Sequence, residues 1–539
     1  MSILPLRGLG SVGVITDIKP YDLPSTALSM SNNISFDNGR IKRAPAFKSI
    51  LNTTYATPAF SFTYATPSNQ DKLGVVNITG ETTLVSNGVE TDVTPAGWAP
   101  ISSTEPFTFC NLAGVGYLNR NTSTPTYYGL ASTQFAPLPN WPANMTCRVL
   151  RGFKNFLIAL NVTKSGVLNK TLVKWSDITL LNNYPPSWDE TSTTRLAGEN
   201  PLEEMPTQIL DGLALRDAFV IYSKTQTHLM EYTADQQVFR FRKIFDNNGI
   251  INTNCCTEIL GSHYVFGNDD IYQHDGISYR SIIQGKNRDY VFENLNNAQT
   301  DKFYVLHNPK LTEVMFCYVS GDVQTNFKNT TYCNKAAVFN YINGTWSFRD
   351  LPNASSASLA AVSYATTTWA TTTATWTSIG GSWYSLSDNN FKNLYFVSPI
   401  DTADGLSASR VYGYDKFYGG NLTQAINTEA SKTAWAERIG IDLDETGEQL
   451  RAYKVVRTIY PQATSLGGTS NIMFAFGATE TVDQTPTFGT YTNFDPTSQE
   501  KVDVSRVGGR YLAWRVQDPS MFGFELAGFD VDVQTTGRR

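Results

Sequence analysis

Ala218-Phe-Val-Ile-Tyr222 is a short apolar run, and it is followed by His228-Leu-Met-Glu-Tyr232 and Val238-Phe-Arg-Phe241. Short runs rich in β-branched and aromatic residues, separated by polar turns, are typical of β-strands. Groups of about three such runs begin roughly 50 residues apart through the middle of the chain, which is the spacing of β-propeller blades. An array of β-sandwiches would have similar strand spacing, so this pattern alone leaves both architectures open.

Hairpin turns recur along the chain, whereas helical periodicity is nearly absent. Asn38-Gly39 separates the short runs Ile34–Phe36 and Arg40–Lys42, and Asn-Gly or Asp-Gly pairs return at residues 87–88, 275–276 and 343–344. The tight turn of a two-residue hairpin needs positive φ at both central residues, which Asn and Gly tolerate best. The sequence therefore predicts an all-β fold with hairpins in series.

Three regions are predicted from the pattern. They are an N-terminal β arm over residues 1–50, a β-propeller with inserted loops over 51–435, and a C-terminal β domain over 436–539. Residues 353–390 are rich in Thr, Ser and Ala and contain Trp369 and Trp376, which either anchor a long loop or contact a partner. Residues 463–500 are polar and contain Gly467 and Gly468, so we predict a long exposed loop or hairpin there.

Composition restricts the function more than it defines it. The 539 residues include 42 basic and 48 acidic side chains, a net charge of −6, which argues against a protein that grips nucleic acid through its phosphates. Aromatic residues make up 12% and charged residues only 17%, which argues against disorder. No apolar run approaches the roughly 18 residues that a transmembrane helix needs, so we predict no membrane span.

The sequence predicts neither a dinucleotide-binding turn nor a nucleophilic serine. Gly8, Gly10 and Gly13 match the spacing GxGxxG, but too few residues precede them for a strand, and Pro20 and Pro24 fall where the helix would have to run. We predict instead that these glycines allow an extended arm to approach another backbone closely. The chain has no GxSxG elbow to present a nucleophilic serine.

Residues 263–275 are the one cluster that could bind a metal ion or act as an acid–base site. His263 and His274 occur there together with Asp269, Asp270 and Asp275. The spacing fits neither HExxH nor a zinc ribbon, and the alternative is a strand–turn–strand in which the Asp side chains cap turns and the His side chains bind the backbone. We therefore predict no metal, no cofactor and no enzyme activity.

Six cysteines are scattered along the chain without a CxxC pair: Cys110, Cys147, Cys255, Cys256, Cys317 and Cys333. In a chain of this length we expect reduced and mostly buried thiols, as in proteins made in a cytosol. A single disulfide such as Cys317–Cys333 is the alternative.

Charge is distributed unevenly. Arg40 and Arg43 belong to a basic cluster near the start of the chain, and Arg510 and Arg515 belong to another near its end. Residues 442–448 and 530–532 are acidic. These clusters are either ordinary solvated surface or complementary patches between identical subunits, and we take the four arginines as candidate subunit or adaptor contacts.

Short motifs spread over nearly the whole chain resemble the tail nozzle proteins of short-tailed bacteriophages, also called tail tubular B or packaged-DNA stabilisation proteins. Each motif is short, and their order and spread carry the resemblance. They are Gly13-Val-Ile-Thr-Asp-Ile-Lys-Pro20, Asn33-Ile-Ser-Phe36, Arg43-Ala-Pro45, Val173-Lys-Trp-Ser-Asp177, Leu210-Asp-Gly-Leu-Ala-Leu215, Gly267-Asn-Asp-Asp-Ile-Tyr272, Cys333-Asn-Lys-Ala-Ala-Val338, Trp346-Ser-Phe-Arg-Asp-Leu-Pro352 and Gly509-Arg-Tyr-Leu512.

The resemblance implies a β-propeller with an added β platform built from the chain ends and insertions. It also implies a ring, a hexamer in this family, that continues the DNA exit channel below the adaptor and contacts tail fibre or tip proteins. Such a ring retains packaged double-stranded DNA, which it contacts non-specifically, and releases it at infection. The expected location is the virion tail, assembled in the host bacterial cytoplasm. Trp369, Trp376, Gly467 and Gly468 then become candidates for loops that contact the channel or a partner.

The main alternative is a tail-associated propeller glycosidase or depolymerase, or a carbohydrate-binding module. An enzyme of this kind needs a pair of carboxylates at the mouth of the propeller, for which Asp269, Asp270 and Asp275 are the first candidates. Sugars could stack on the aromatic rings of Trp175, Trp188, Trp346, Trp369 and Trp376, although filling a core is the commoner use of large aromatic side chains.

Overall fold

The computed structural model describes most of the chain, and the structural statements below concern the described residues alone. These are residues 2–49, 57–66, 71–86, 89–100, 105–233, 237–321, 331–360, 393–399, 410–416, 433–442, 452–465, 472–482, 484–519 and 523–535. Trp369, Trp376, Gly467 and Gly468 lie outside them. In the described part no helix is long and apolar enough to cross a membrane.

The fold is all-β, as predicted. The chain begins with seven short strands: β1 (Ser2–Arg7), β2 (Gly13–Val14), β3 (Ala27–Leu28), β4 (Met30–Asn32), β5 (Ile34–Asp37), β6 (Arg40–Arg43) and β7 (Ala46–Ser49). The hairpin between β5 and β6 turns at Asn38 and Gly39, which have φ values of 49° and 76°, so the predicted tight turn is confirmed. Helical structure in the described residues is confined to α1 (Arg288–Glu293) and two 3₁₀ turns at Pro20–Asp22 and Asn297–Lys302.

The middle of the chain forms antiparallel four-stranded sheets, of which seven lie in the described residues. Strands follow one another in chain order within each sheet, except that β7 provides the fourth strand of sheet 7. Sheet 1 consists of β8 (Pro58–Ala65), β9 (Asp71–Asn77), β10 (Thr82–Ser86) and β11 (Val89–Asp92), and sheet 2 of β12 (Phe107–Leu112), β13 (Val115–Arg120), β14 (Thr126–Tyr128) and β15 (Ala136–Pro137). Sheet 3 consists of β16 (Met145–Phe153), β17 (Phe156–Lys164), β18 (Val167–Trp175) and β19 (Gly198–Pro201), and sheet 4 of β20 (Ile209–Leu215), β21 (Ala218–Ser223), β22 (Gln226–Tyr232) and β23 (Phe239–Asp246). Sheet 5 consists of β24 (Cys256–Ile259), β25 (Ser262–Phe266), β26 (Ile271–His274) and β27 (Tyr279–Ser281), sheet 6 of β28 (Tyr304–Asn308), β29 (Glu313–Tyr318), β30 (Cys333–Asn340) and β31 (Trp346–Ala354), and sheet 7 of β32 (Ser356–Ala360), β33 (Asn393–Ser398), β34 (Arg410–Lys416) and β7.

The first strands of these sheets contact one another in order. β8 packs against β12, β12 against β16, and so on through β20, β24, β28 and β32, and β32 packs against β8. Side chains support the contact between sheet 7 and sheet 1, because the Thr63 hydroxyl donates to the Leu359 carbonyl at 2.5 Å and the hydroxyl oxygens of Ser61 and Ser356 are 3.4 Å apart. The contacts between first strands therefore follow a cyclic order.

The two ends of the chain combine in two further sheets. The C-terminal strands are β35 (Ala434–Ile441), β36 (Lys454–Ser465), β37 (Ile472–Thr479), β38 (Thr487–Phe488), β39 (Thr492–Phe494), β40 (Val502–Gly509), β41 (Tyr511–Asp518) and β42 (Phe524–Thr535). One six-stranded sheet has the order β40-β36-β42-β6-β5, with β1 also paired to β42, and the other has the order β38-β37-β41-β35-β4, with β39 paired to β37. β2 and β3 form a short parallel pair.

The two six-stranded sheets pack against each other around Phe529 of β42. Its ring lies 5.3 Å from that of Trp514 and 6.0 Å from that of Phe474, both in the other sheet. These aromatic residues belong to a hydrophobic core that also includes residues of sheets 4 to 7. The prediction of a long loop or hairpin over residues 463–500 is wrong in part, because β36 continues to Ser465 and three further strands follow. Ile472, Phe474 and Phe476 are buried there, and burying apolar side chains favours strands over a solvated loop.

The N-terminal glycines allow the close backbone contact that we predicted. A Cβ atom on Gly10 would lie 2.6 Å from the Arg40 carbonyl oxygen, so the absence of a side chain allows this close approach. Gly13 has a φ of +80°, and a Cβ atom there would lie 2.9 Å from both Thr345 Cβ and Trp346 N of sheet 6. Gly13 begins strand β2 rather than a helix, so these glycines do not form a dinucleotide-binding turn.

Candidate functional site

A polar cavity lies at the centre of the first strands. Its volume is about 520 Å³. Within the described residues, the first strand of every four-stranded sheet contributes to its lining, through residues such as Thr63, Phe109, Arg151, Asp211, Cys256, Tyr304 and Ser356. The cavity therefore brings together side chains from distant parts of the chain.

An ion pair between neighbouring sheets forms part of the cavity wall. Arg151 of β16 donates from Nε to Asp211 Oδ1 at 3.0 Å and from Nη2 to Asp211 Oδ2 at 2.8 Å. The same Nη2 donates to Asn254 Oδ1 at 2.7 Å. Asn254 donates its main-chain N–H to Asp211 at 2.7 Å and its side-chain amide to the Phe107 carbonyl at 3.0 Å. These hydrogen bonds join sheets 2, 3, 4 and the start of sheet 5.

The electrostatics favour a permanently charged pair. Burial by itself lowers the pKa of Arg151, but the Asp211 carboxylate outweighs burial and raises that pKa above its usual value. A bidentate guanidinium–carboxylate pair has directional hydrogen bonds that fix the relative position of the two strands. The pair is suited to holding sheets in register.

The other carboxylates of the cavity also have partners. Asp301 lies 3.0 Å from Lys302 Nζ, and Glu105 accepts a hydrogen bond from the Thr122 hydroxyl at 3.0 Å. A glycosidase-type mechanism needs one carboxylic acid and one carboxylate that are free to exchange protons with substrate. The Asp211, Asp301 and Glu105 carboxylates are instead occupied by cations or hydroxyl donors.

The two histidines of the predicted cluster come together with a tyrosine from sheet 4. Tyr222 Oη lies 2.7 Å from His263 Nδ1 and 2.5 Å from His274 Nε2. His263 Nε2 faces the Ala214 carbonyl at 2.9 Å, and Gly276 donates its N–H to His274 Nδ1 at 3.2 Å. These partners define one direction for the chain of hydrogen bonds: Gly276 to His274, His274 to Tyr222, Tyr222 to His263, and His263 to Ala214.

Both rings in this chain are neutral. Burial lowers the pKa of His263 to about 4 and that of His274 to about 3. Among the described residues, no three His, Cys, Asp or Glu side chains form a group that could hold a metal ion. Of the two interpretations of this cluster, the geometry favours buried histidines that satisfy their hydrogen bonds within the protein.

The three aspartates of the same segment do not line the central cavity. Asp270 accepts a hydrogen bond from the Ser281 hydroxyl at 2.6 Å, and burial raises its pKa. Asp275 accepts the N–H groups of Ile277 and Ser278 at 2.9 and 2.8 Å, which lowers its pKa. Asp275 thus caps its own turn, as the structural alternative predicted. The carbonyl of Asp269 accepts a hydrogen bond from Arg288.

The two N-terminal candidate arginines bind the C-terminal strands of the same chain. Arg40 is exposed, and its Nη1 lies 2.5 Å from Glu525 Oε1. Arg43 is buried, with Nη1 donating to the Asp518 carbonyl at 2.9 Å, and burial lowers its pKa although Asp518 opposes the shift. The guanidinium of Arg43 is therefore enclosed by its own chain, while a contact between Arg40 and another subunit stays a prediction.

The two C-terminal candidates make similar contacts. Arg510 Nε lies 3.8 Å from Glu480 Oε2. Arg515 binds the Glu437 carboxylate with Nε at 2.8 Å, and its guanidinium lies over the rings of Trp435 and Phe488. These contacts join strands within one six-stranded sheet, and a role for either arginine in binding a second subunit or an adaptor stays a prediction.

All six cysteines are free thiols, which confirms the prediction that they are unpaired. Cys147, Cys255, Cys317 and Cys333 are buried, and burial raises the pKa of each of them. Cys317 and Cys333 lie on adjacent strands of sheet 6 without a disulfide.

Sequence reasoning missed the Arg151–Asp211–Asn254 network. The available signal was a charged residue within an apolar run, as in Leu210-Asp-Gly-Leu213.

No known family model and no curated protein matches this chain.

Proposed function

We propose that this chain is a structural protein of a phage tail nozzle, folded as a β-propeller of seven blades with a platform made by the chain ends. In this proposal several copies form a ring below the adaptor that continues the DNA exit channel. The ring retains packaged DNA and releases it at infection. The resemblance of the short sequence motifs supplies the type of protein, and the contacts within the chain support a mechanical role.

The cyclic order of strand contacts supports a propeller. A four-stranded sheet cannot bury both of its faces alone, so sheets that pack side by side around an axis bury them together. The contact between β32 and β8 is the one that a closed propeller requires, because it joins the last four-stranded sheet to the first. An open array of β-sandwiches has no reason for this contact.

The observation that carries the proposal is that strands from the first 49 residues pair with strands of three different sheets. β1, β5 and β6 join one six-stranded sheet, β4 joins the other, and β7 completes sheet 7 by pairing with β34. The start of the chain is thus hydrogen-bonded into three sheets that later segments build. A force on either terminus acts along these ladders, where many hydrogen bonds share the load.

A buried cation strengthens the same junction. Arg349 of β31 is 1% exposed, and it donates to the Ser35 hydroxyl of β5 at 2.6 Å. It also binds the Glu313 carboxylate of β29 and the Tyr414 hydroxyl of β34. One guanidinium therefore connects the N-terminal arm with sheets 6 and 7. Such bracing suits a protein that must keep its shape under pressure.

The enzyme alternative has less support. The central cavity holds carboxylates that are already paired, and Asp269, Asp270 and Asp275 lie elsewhere. Trp175, Trp188 and Trp346, on which sugars could stack, are at most 8% exposed. These rings fill the core between sheets, which is the commoner use of large aromatic side chains.

Immunogold labelling tests the proposal. An antibody raised against the purified chain is applied to intact particles of the phage that encodes it and to particles lacking tails. Gold at the tail of intact particles, and none on tailless ones, is the expected result. Gold on the capsid, or no labelling of particles while the free chain is abundant in the lysate, contradicts a place in the nozzle.

A further inference from the structure

A second cavity, a cleft of about 510 Å³, lies between sheets 4 and 5. It is formed where turns of sheets 3, 4 and 5 meet, away from the central cavity. Its lining includes four cationic side chains and three carboxylates, together with apolar surface from residues such as Tyr232 and Ile277. Neither the proposed nozzle role nor the central cavity uses these residues.

The three carboxylates of the cleft are engaged within the protein. Asp275 accepts hydrogen bonds from N–H groups of its own turn. Glu231 Oε1 lies 3.3 Å from Arg242 Nη2, and Asp217 Oδ1 lies 3.8 Å from Lys154 Nζ. Two of the four cations in the cleft are therefore matched to carboxylates.

Among the described residues, no carboxylate lies within 4 Å of the charged groups of Arg216 or Arg240, the other two cations, although Arg240 lies opposite Glu231 in the β22–β23 register. Arg216 is exposed in the turn between β20 and β21. Its backbone has a φ of +53°, a left-handed conformation that residues other than Gly and Asn rarely adopt. A Cβ atom at Gly261 would lie 2.9 Å from Arg216 Nε, so the absence of a side chain at Gly261 makes room for the guanidinium. The turn presents this cation at the edge of the cleft.

We propose that this cleft binds a hydroxylated ligand that carries a single carboxylate, such as an acidic sugar residue of a polysaccharide. The planar guanidinium groups of Arg216 and Arg240 match the two oxygens of a carboxylate. Glu231 and Asp217 are paired through one oxygen each, Oε1 and Oδ1, so their second oxygens and the Thr233 hydroxyl serve as acceptors for neighbouring hydroxyl groups. The ring of Tyr232 and the exposed side chain of Ile277 provide apolar surface for the face of a sugar.

The balance of charge favours one anionic group over many. The lining has four cationic and three acidic side chains, so it attracts a monoanion. A polyanion such as nucleic acid would bring further phosphates close to Asp217, Glu231 and Asp275, and like charges repel. A neutral sugar would bring no negative charge to Arg216 and Arg240, which form no ion pair within the described residues.

Calorimetric titration of the full chain tests this proposal, with an oligomer of glucuronic acid as the probe. A glucose oligomer of equal length and inorganic phosphate serve as comparison ligands. The variants are Arg216→Gln, Arg240→Gln and the control Lys243→Gln. Lys243 follows Arg242 on β23 and so points to the opposite face of the strand, where it pairs with Asp246, yet its replacement removes the same charge.

We expect saturable binding of the glucuronate oligomer, weakened at least about tenfold by either cleft substitution, because each removes hydrogen bonds between charged groups. Lys243→Gln is expected to bind as the unaltered chain does. Three results would overturn the proposal: no saturable binding by the unaltered chain, equal weakening by Lys243→Gln, or tighter binding of phosphate or of the glucose oligomer than of the glucuronate oligomer. This test is independent of the nozzle role, which immunogold labelling examines.

Discussion

Replacing Asp211 by alanine should loosen the centre of the molecule, because its carboxylate is the acceptor for several buried donors. The substitution leaves Arg151 as a charge whose side chain is 14% exposed, without its carboxylate. It also removes the acceptor for the main-chain N–H groups of Gly212 and Asn254, which now donate at 2.8 and 2.7 Å. Breaking a buried ion pair from one side costs about 3–5 kcal/mol.

That loss of free energy converts into a modest change in melting temperature, because the chain is long. With about 2.1 cal/mol/K of unfolding entropy per residue, the 539 residues give about 1.1 kcal/mol/K if the chain unfolds as one unit. The expected decrease in Tm for Asp211→Ala is then about 3–4 °C. The free energy of unfolding, measured by urea titration at constant pH, should decrease by the full 3–5 kcal/mol.

Asp217→Ala is the matched control, since it removes a carboxylate six residues away on the next turn. The Asp217 side chain is fully exposed, and surface substitutions of this kind change stability by less than about 0.5 kcal/mol. The double variant Arg151→Met/Asp211→Leu should recover much of the loss, because it leaves no unpaired charge. Equal urea midpoints for Asp211→Ala and Asp217→Ala would refute the view that this ion pair holds the sheets together.

Three further predictions concern the histidines, the N-terminal arm and the thiols. The pKa values of about 4 for His263 and about 3 for His274 lie below the unfolded value of about 6.5, so their contribution to stability is complete above pH 6.5 and is lost as the pH falls towards 3. His263→Asn should flatten the decrease in the free energy of unfolding between pH 6.5 and 4 in urea titrations, and an unchanged slope would contradict the neutral assignment. Gly13→Ala should destabilise the arm more than Gly97→Ala, because Gly97 has a similar positive φ but no atom within 4 Å of an added Cβ. Limited proteolysis compares the two variants. Equal cleavage rates would show that the contact between Gly13 and Trp346 is unimportant. Thiol titration at pH 8 should modify no cysteine rapidly without denaturant, since burial raises the pKa of even the partly exposed Cys110 to about 12. Fast reaction of any of the four buried thiols would contradict their burial.

The second and third strands of the four-stranded sheets could be predicted from sequence, and the first strands were harder to find. Phe219–Tyr222 and Leu229–Met230 alternate or run as apolar stretches because both faces of those strands pack against neighbouring sheets. β20 carries Asp211 and Gly212, and β16 carries Arg151, because these strands face a polar cavity. Their polar residues interrupt the hydrophobic pattern on which strand prediction depends.

The histidine cluster shows a second limit. Its spacing allowed either a metal site or a turn with buried histidines, and the residue that separates the two interpretations is Tyr222, 41 residues before His263. Nothing in the local pattern indicates that a tyrosine of sheet 4 lies between the two rings of sheet 5. Such contacts depend on the packing between sheets, which a single sequence does not encode as a short motif.

The pairing of the chain ends was likewise only partly predictable. The alternating residues 451–460 and 511–516 indicate strands, but not their partners. β42 pairs with β1 from the start of the chain and with β36 from its own region, a register that only the complete sheet defines. Charge clustering marks four arginines in or beside these strands as candidate contacts between subunits, and each of them has a partner within its own chain.

Mass photometry of the purified chain, alone and with the adaptor protein of the same phage, combined with negative-stain images of the mixture, is the most direct test of the central claim. The account predicts closed rings containing several copies of the chain, stacked on the adaptor and enclosing a channel wide enough for a DNA duplex. A chain that stays monomeric at high concentration and forms no ring when the adaptor is added would contradict it.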